Sequence, residues 1–260
     1  MKGRSQFVEH DWQARFQQAY AGPPSRVEAR IWTDVLGDEY AAAMDPHSFT
    51  TVSELGRFVR ELMLQPGHTL VDVGCGRGGP GLWVAGAADA RLVGLDIAEN
   101  ALEAARARAS LMGANADFRL GSFEATGLQD EAAHAVMSID ALLFTPSKDA
   151  ALAELRRILR PGGRLVFTSF DYVRQPVGRP PQVDDHRPLL RAAGFDVRGY
   201  HETAGWRICA ERIYNALLDA VEDLAAESGE PVDDVRRDLE EEAATIDAMK
   251  RRFFAVAIAR

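Results

Sequence analysis

The 260-residue chain carries 39 acidic and 30 basic side chains, a formal net charge of −9, and 47% of its residues are hydrophobic. Nucleic-acid-binding surfaces are basic, so this charge argues against a DNA or RNA partner. We see no long apolar run and no signal-peptide pattern, and we therefore expect no membrane span and a cytoplasmic location. The two cysteines, Cys75 and Cys209, give neither a disulfide framework nor metal-ligand spacing.

The first 68 residues predict helices and no strands. A first helix is indicated by aromatic residues at roughly helical spacing, namely Phe7, Trp12, Phe16 and Tyr20. A second amphipathic segment covers residues 27–40. Ser53 is a plausible N-cap for a third helix that ends near Leu64, before the Pro66-Gly67 break.

A short apolar run followed by closely spaced glycines occupies residues 69–81, with the sequence Thr-Leu-Val-Asp-Val-Gly-Cys-Gly-Arg-Gly-Gly-Pro-Gly. The run is rich in β-branched residues and predicts a buried strand. A helix-compatible segment, residues 82–88, follows the glycines. A strand, a glycine turn and a helix together bring backbone N–H groups and a helix N-terminus against a ligand, so we predict a binding site here.

Strand and helix patterns alternate through the centre of the chain, which predicts a parallel sheet with helices on both faces. The predicted strands are 69–74, 91–97, 117–122, 134–140 and 163–170, and the predicted helices are 80–88, 99–112 and 147–160. Beyond them we predict a helix at 184–194, a strand at 195–203, two helices at 205–228 and 232–250, and a closing strand at 251–259. Residues 205–250 hold 13 acidic and 5 basic side chains. We predict that this acidic surface is solvated; attraction of a cationic substrate is the alternative.

The spacing Gly74-x-Gly76-x-x-Gly79 also matches the dinucleotide fingerprint, so a nicotinamide-dependent oxidoreductase is an alternative. Asp72 argues against it, because a carboxylate beside the turn suits a cationic group better than a pyrophosphate. At this point the sequence resembles the class I S-adenosylmethionine-dependent methyltransferases. The resemblance extends through three motifs in order, at residues 69–81, 91–97 and 159–167.

The resemblance implies an α/β, Rossmann-like, doubly wound sheet of seven strands in the order 3-2-1-4-5-7-6, with the last strand antiparallel. It also implies S-adenosylmethionine as cofactor and S-adenosylhomocysteine as product. We expect a helical lid at 1–68, a core at 69–204, a second lid segment at 205–250 and the final core strand at 251–260.

The same resemblance implies a set of cofactor-binding residues. Asp96, 20 residues after Gly76, falls where a carboxylate reaches a ribose diol, and Ile97 is expected on the adenine ring. Relatives often carry an acid where this chain has Ser122, so adenine contact by Ser122 and Phe123 departs from the usual pattern. The full expected set is Asp72, Gly74, Cys75, Gly76, Asp96, Ile97, Ser122, Phe123 and Ser138, with no metal ligand.

The implied reaction is methyl transfer to a small-molecule acceptor, most plausibly O-methylation of a natural-product intermediate. A hydroxyl acceptor usually needs a base; His186 is the first candidate and His47 the second. Asp140 faces either the acceptor or the methionine end of the cofactor, and Tyr172 is expected to line the pocket. C- or N-methylation and cofactor binding without transfer are the alternatives. The acceptor's identity and the choice between monomer and homodimer stay open.

Overall fold

The computed structural model describes residues 11–45 and 48–260, and a seven-stranded sheet forms its centre. The strands are β1 (Thr69–Val73), β2 (Arg91–Asp96), β3 (Ala116–Leu120), β4 (Ala133–Ile139), β5 (Leu159–Tyr172), β6 (Phe195–Glu202) and β7 (Met249–Ala259). The α-helices are α1 (Trp12–Ala19), α2 (Arg26–Leu36), α3 (Val52–Leu62), α4 (Gly79–Ala87), α5 (Glu99–Met112), α6 (Lys148–Ile158), α7 (Arg187–Ala192), α8 (Trp206–Asp219), α9 (Val221–Ser228) and α10 (Val232–Thr245).

The strand order is β3-β2-β1-β4-β5-β7-β6. Strands β1 to β5 pair in parallel, whereas β7 runs antiparallel to both β5 and β6. The predicted Rossmann-like topology is therefore confirmed. Strands β1 to β3 follow one another towards one side of the sheet, and β4 and β5 follow towards the other, so a switch point lies between β1 and β4. The carboxyl edge beside such a switch point is where open α/β sheets bind ligands.

Helices cover both faces of the sheet, so the central strands are apolar on both sides. On one face, α6 packs Leu152 and Leu155 against Phe167 and Phe253. On the other face, Phe58 of α3 packs in the same cluster as residues of β1, β4, β5 and β7. The sheet is thus a rigid platform, and the site can be built on the loops at its carboxyl edge.

Several element bounds differ from those predicted. β5 begins at Leu159 rather than 163, and its pairing with β4 shifts register between Ala133 and Ala135. The cap of α3 is Thr51, whose side chain accepts from the Glu54 N–H; the hydroxyl of Ser53 instead donates to Glu39. α7 has only 6 residues, so the helix predicted at 184–194 is shorter than expected.

The segment 205–250 contains three α-helices instead of two, because the chain breaks at Ala220 between α8 and α9. The closing strand begins at Met249 rather than 251. In the part of the chain that the structure describes, none of the helices combines the length and apolar character needed to cross a membrane. Phe7, from the first predicted helix, lies outside the described residues.

Helices that precede the core in the sequence contact helices that lie near the end of the chain. Ile31 of α2 packs against Ile213 and Leu217 of α8. The carboxylate of Glu227 accepts from the Ser25 hydroxyl and from the Arg26 N–H. Part of the acidic surface therefore contacts the N-terminal helices, although the acids that make these contacts stay exposed to solvent.

Candidate functional site

The glycine turn after β1 is fastened to the end of β2 by backbone hydrogen bonds. The N–H groups of Gly74 and Cys75 donate to the Leu95 carbonyl at 2.8 and 3.0 Å. The Gly76 N–H donates to Asp96 Oδ2 at 2.8 Å. Gly74 and Gly76 have φ of +74° and +51°, a region that L side chains rarely adopt. The turn thus needs glycine at both positions.

Space as well as dihedral angle excludes side chains from this turn. A Cβ on Gly74 would lie 2.4 Å from the Cβ of Ala141, and one on Gly76 would lie 3.0 Å from the Tyr20 hydroxyl. Tyr20 follows α1, so the N-terminal segment comes down directly on the turn. Because Gly74 and Gly76 carry no side chains, the main chain of the turn has no Cβ atoms at these two positions to obstruct a ligand.

Two adjoining pockets open beside the turn at the carboxyl edge of the sheet, and Tyr20, Gly74 and Ile139 line both. The larger, of about 750 Å³, is also lined by Asp96, Ile97, Ser122, Phe123 and Asp140. The smaller, of about 420 Å³, is also lined by Asp72, Cys75, Gly76, Arg77 and Ser48. The structure therefore brings together eight of the nine expected cofactor residues.

The two acids of the site are both buried, and burial raises the pKa of each. The pKa of Asp72 rises to about 7, mainly by burial and further by the negative charge of Asp96. Burial also raises the pKa of Asp96, and the N–H groups of Ala98 and Gly76 oppose this by donating to its carboxylate. No Lys, Arg or His side chain of the described residues lies within 4.0 Å of the Asp72 carboxylate. A cationic ligand group would supply the missing compensation.

These residues fit S-adenosylmethionine. Asp72 suits the ammonium of its methionine end. The Asp96 carboxylate accepts from the Gly76 N–H at 2.8 Å and from the Ala98 N–H at 3.0 Å, and its two oxygens together offer about four acceptor positions, which leaves capacity for a ribose hydroxyl. Ile97 and Phe123 give the larger pocket the apolar walls that a purine ring requires.

Of the two serines expected at the cofactor, Ser122 lies at the larger pocket and Ser138 does not. Ser122 lines the larger pocket, and its hydroxyl accepts from the Ala125 N–H at 3.1 Å. Ser138 lines neither pocket; it is 1% exposed, and its hydroxyl has no partner among the described residues. Because side chains alternate along β4, Ser138 lies on the sheet face opposite Met137.

His186, the first base candidate, is not at the pockets. It is fully buried against Phe253, with Nδ1 2.8 Å from Asp171 Oδ1. Asp171 also accepts from the Tyr200 hydroxyl at 2.8 Å and from Arg251 Nε at 2.7 Å. This buried network joins β5, β6 and β7 and gives His186 a structural position. His47, the second candidate, lies outside the described residues.

Asp140 lines the larger pocket, but it is committed to a partner. Arg252 Nε and Nη2 donate to its carboxylate, both at 3.0 Å, and the same guanidinium donates to Glu54 at 2.8 and 2.7 Å. Arg252 is 1% exposed. Both carboxylate oxygens of Asp140 are held by the buried guanidinium, so Asp140 is better suited to positioning than to proton removal.

Tyr172 is 2% exposed and packs with Phe170 and Trp206, outside the lining of both pockets. The structure also adds residues that the sequence analysis did not assign. Arg252 was predicted only as part of a strand, and Tyr20 only as part of a helix. The one signal for Arg252 was a pair of arginines opening an otherwise apolar strand.

Comparison with known proteins agrees with this geometry. Residues 71–167 match the family described as "Methyltransferase domain". Methyltransferase GfsG of Streptomyces halstedii is 33% identical over 130 residues, 47% of each chain. Phosphoethanolamine N-methyltransferase 1 of Arabidopsis thaliana is 27% identical over 140 residues, 54% of this chain and 28% of the relative. The chain thus spans about half or less of the length of these relatives.

Two further similarities extend over more of the chain. O-methyltransferase cnsE of Penicillium expansum is 31% identical over 189 residues, 64% of this chain and 68% of the relative. Among solved structures, the [4+2]-cyclase SpnF superposes with a TM-score of 0.74 over 98% of this chain and 99% of the other, at 22% identity. The latter similarity establishes the fold alone.

Gly74→Ala tests the close approach in the turn, and Gly67→Ala is its matched control. Both glycines have positive φ, at +74° and +78°, but only at Gly74 does a Cβ meet another atom within 4 Å. We expect both variants to lose roughly 1–2 kcal/mol of unfolding free energy from backbone strain, and Gly74→Ala to lose more because its Cβ also meets Ala141. Only Gly74→Ala should also lose affinity for S-adenosylhomocysteine, by at least about tenfold in calorimetric titration. Equal affinity of the two variants for S-adenosylhomocysteine would show that ligand binding does not require a glycine at position 74.

Asp72→Asn tests the buried carboxylate. Because its pKa is about 7 in the folded protein, the folded state binds more protons than the unfolded chain between about pH 4 and 7. We therefore expect the ligand-free protein to lose stability as pH rises through this window, and Asp72→Asn to reduce that loss. Affinity for S-adenosylhomocysteine should rise from pH 5.5 to 7.5 in the unsubstituted protein and be weaker and flatter in Asp72→Asn. Asp89→Asn, at the opposite edge of the sheet, is the control.

Proposed function

The chain belongs to the class I S-adenosylmethionine-dependent methyltransferase family, and from that premise we propose that it transfers the cofactor's methyl group to a small organic acceptor, at oxygen. The observation that carries the proposal is the pair of buried acids, Asp72 and Asp96, beside one glycine turn. Bound there, the cofactor supplies a sulfonium methyl group, an electrophile that needs no metal ion.

The chain's own contribution is to bind, orient and exclude water. Asp72 and Asp96 hold the cofactor at its two polar ends. Phe16 and Tyr20 of the N-terminal segment and Phe144 beyond β4 line the larger pocket. The Phe144 ring meets Trp12 in a tilted arrangement and Phe16 edge to face, with centroid distances of 4.7 and 4.8 Å. Such a cover fixes donor and acceptor in line, which can supply roughly 7–11 kcal/mol of a barrier.

Oxygen is the acceptor atom that we favour, because the relative from Penicillium expansum is named as an O-methyltransferase. A hydroxyl must lose its proton as the methyl group arrives. His186 lies away from the pockets and Asp140 is paired with Arg252. We therefore propose His47 as the base, in the segment between α2 and α3.

Methylation at nitrogen or carbon is the second candidate. Its support is the pairing of Asp140 with Arg252, since an amine or an electron-rich carbon reacts without a strong base at the pocket. The plant relative is named as an N-methyltransferase. Natural-product intermediates are the acceptor class that we propose for either chemistry.

The proposed function is tested with cofactor that carries a ¹³C-methyl group. We expect the protein to convert it to S-adenosylhomocysteine only when a hydroxylated acceptor is present, and the chemical shift of the product's label separates oxygen, nitrogen and carbon. Asp96→Asn should bind S-adenosylhomocysteine roughly 10–100-fold more weakly, the cost of about 1.5–3 kcal/mol for a charged hydrogen-bond acceptor. Asp89→Asn is the control. Binding without turnover on a broad acceptor panel would mean a cofactor-binding protein and overturn the proposal.

His47→Gln tests the base. With an oxygen acceptor we expect kcat to fall about 10²–10⁴-fold, with little change in affinity for S-adenosylhomocysteine. His201→Gln, an exposed position on β6, is the matched control and should keep its turnover. Unchanged kcat in His47→Gln, together with a nitrogen- or carbon-bound label, would favour the second candidate.

A further inference from the structure

Three buried polar atoms at the end of β5 and in the loop that follows it have no hydrogen-bond partner among the described residues. They are the Tyr172 hydroxyl, Arg179 Nη1 and the Gln182 Oε1 atom. Tyr172 is 2% and Arg179 7% exposed. Leaving a buried donor or acceptor unpaired destabilises a protein, so such groups call for an explanation at each site where they occur.

The three atoms belong to one region that borders the larger pocket. The Arg179 guanidinium lies beside the adjoining rings of Trp12 and Phe144, 4.9 and 4.8 Å from their centroids. Phe144 lines the pocket. Gln182 donates from its Nε2 to the Leu143 carbonyl at 2.7 Å, beside Phe144. Tyr172 is close as well, because its backbone N–H donates to the carbonyl of Val183, the residue after Gln182, at 2.9 Å.

We propose that Tyr172, Arg179 and Gln182 form the recognition site for the methyl acceptor, and that this acceptor is a neutral molecule with a carbonyl oxygen near a hydroxyl group. The inference rests on the proposed function and narrows its substrate class. Tyr172 and Arg179 each offer one donor to the carbonyl oxygen, and the amide oxygen of Gln182 accepts from the hydroxyl.

The charge balance around Arg179 selects a neutral group. Its Nη2 is already ion-paired with Glu242 of α10. Arg15 Nη2 also lies 3.7 Å from Glu242 and 3.6 Å from Asp238, so two acids of α10 already balance the two arginines. An acceptor carboxylate or phosphate on Nη1 would add a further negative charge that these arginines do not compensate. Lys148 adds little, because burial lowers its pKa to about 7 and its Nζ donates to the Leu143 and Thr145 carbonyls. A carbonyl oxygen accepts both donors and brings no net charge.

Tyr172 acts in this site as a donor. Burial raises the pKa of its phenol well above the usual value, so the hydroxyl keeps its proton through the neutral range and cannot serve as a base. Its role is therefore to position and select the acceptor.

Three probes on one scaffold separate the chemistries: 2-acetylnaphthalene has a carbonyl, 2-ethylnaphthalene lacks it, and 2-naphthoate replaces it with an anion. Each is titrated by NMR into the protein saturated with S-adenosylhomocysteine. In the unsubstituted protein we expect the acetyl probe to bind about tenfold tighter than the ethyl probe, as for one or two good hydrogen bonds. The naphthoate should bind more weakly than the acetyl probe.

Tyr172→Phe should bring the acetyl and ethyl affinities to within about threefold without lowering Tm, because it removes a hydroxyl that has no partner among the described residues. Tyr200→Phe is the matched control: its hydroxyl is bonded to Asp171, so Tm should fall while the acetyl preference stays. Arg179→Gln should also reduce the preference. The inference is overturned if naphthoate binds tightest, if the preference survives Tyr172→Phe, or if the acetyl probe does not bind. Calorimetry of S-adenosylhomocysteine, done first, separates these failures from failure of the proposed function.

Discussion

The hydrogen bonds from the Gly76 and Ala98 N–H groups to the Asp96 carboxylate are the constraint on which the site depends. They join the glycine turn after β1 to the start of α5 after β2, and they fix one carboxylate between two parallel strands. The register of β1 and β2, which pairs Asp72 with Gly94, then sets where the second acid lies. Both acids end at the carboxyl edge, and burial raises the pKa of each. The cation-binding and diol-binding ends of the site therefore come from a single local arrangement.

The rest of the site depends on a cover made from two distant parts of the chain. Helix α2 meets α8, α9 and α10 through an apolar cluster that includes Ile31 and Ile213. Ion pairs lie around it, such as Arg30 with Asp223 at 3.3 Å and Arg15 with Asp238 at 3.6 Å. These pairs are exposed and worth little individually, so the apolar contacts hold the cover and the charges fix its orientation. The acidic excess of residues 205–250 thus has a structural use.

The sequence predicted the part of the site that is local and missed the part that depends on register. Asp72, Gly74, Gly76 and Asp96 lie within one strand–turn–helix and the next strand, where spacing alone fixes geometry. His186 could not be placed this way, because the loop after β5 returns it to the face of β7 that carries Phe253. Arg252 reaches Asp140 only because β7 pairs antiparallel with β5 in the register that sets Phe170 opposite Arg252. Side-chain orientation there is decided by strand pairing across the whole chain, and no local pattern encodes it.

The buried acid of the Asp171 network and the buried polar groups at the proposed binding site differ in how well the fold compensates them. The carboxylate of Asp171 accepts from Tyr200 and Arg251 and contacts His186, so its charge is compensated within the fold, while His186 Nε2 and Arg251 Nη2 have no partner among the described residues. In contrast, Asp72 has a pKa near neutrality and Tyr172 buries a hydroxyl without a partner in the described chain. Both features weaken the ligand-free fold, and both lie where ligands are proposed to bind. Groups that destabilise a protein at its binding site are retained for function, because the bound ligand returns the missing interaction. The proposed cofactor end and acceptor end of the site therefore share one property: each buries a polar group that a bound ligand would pair.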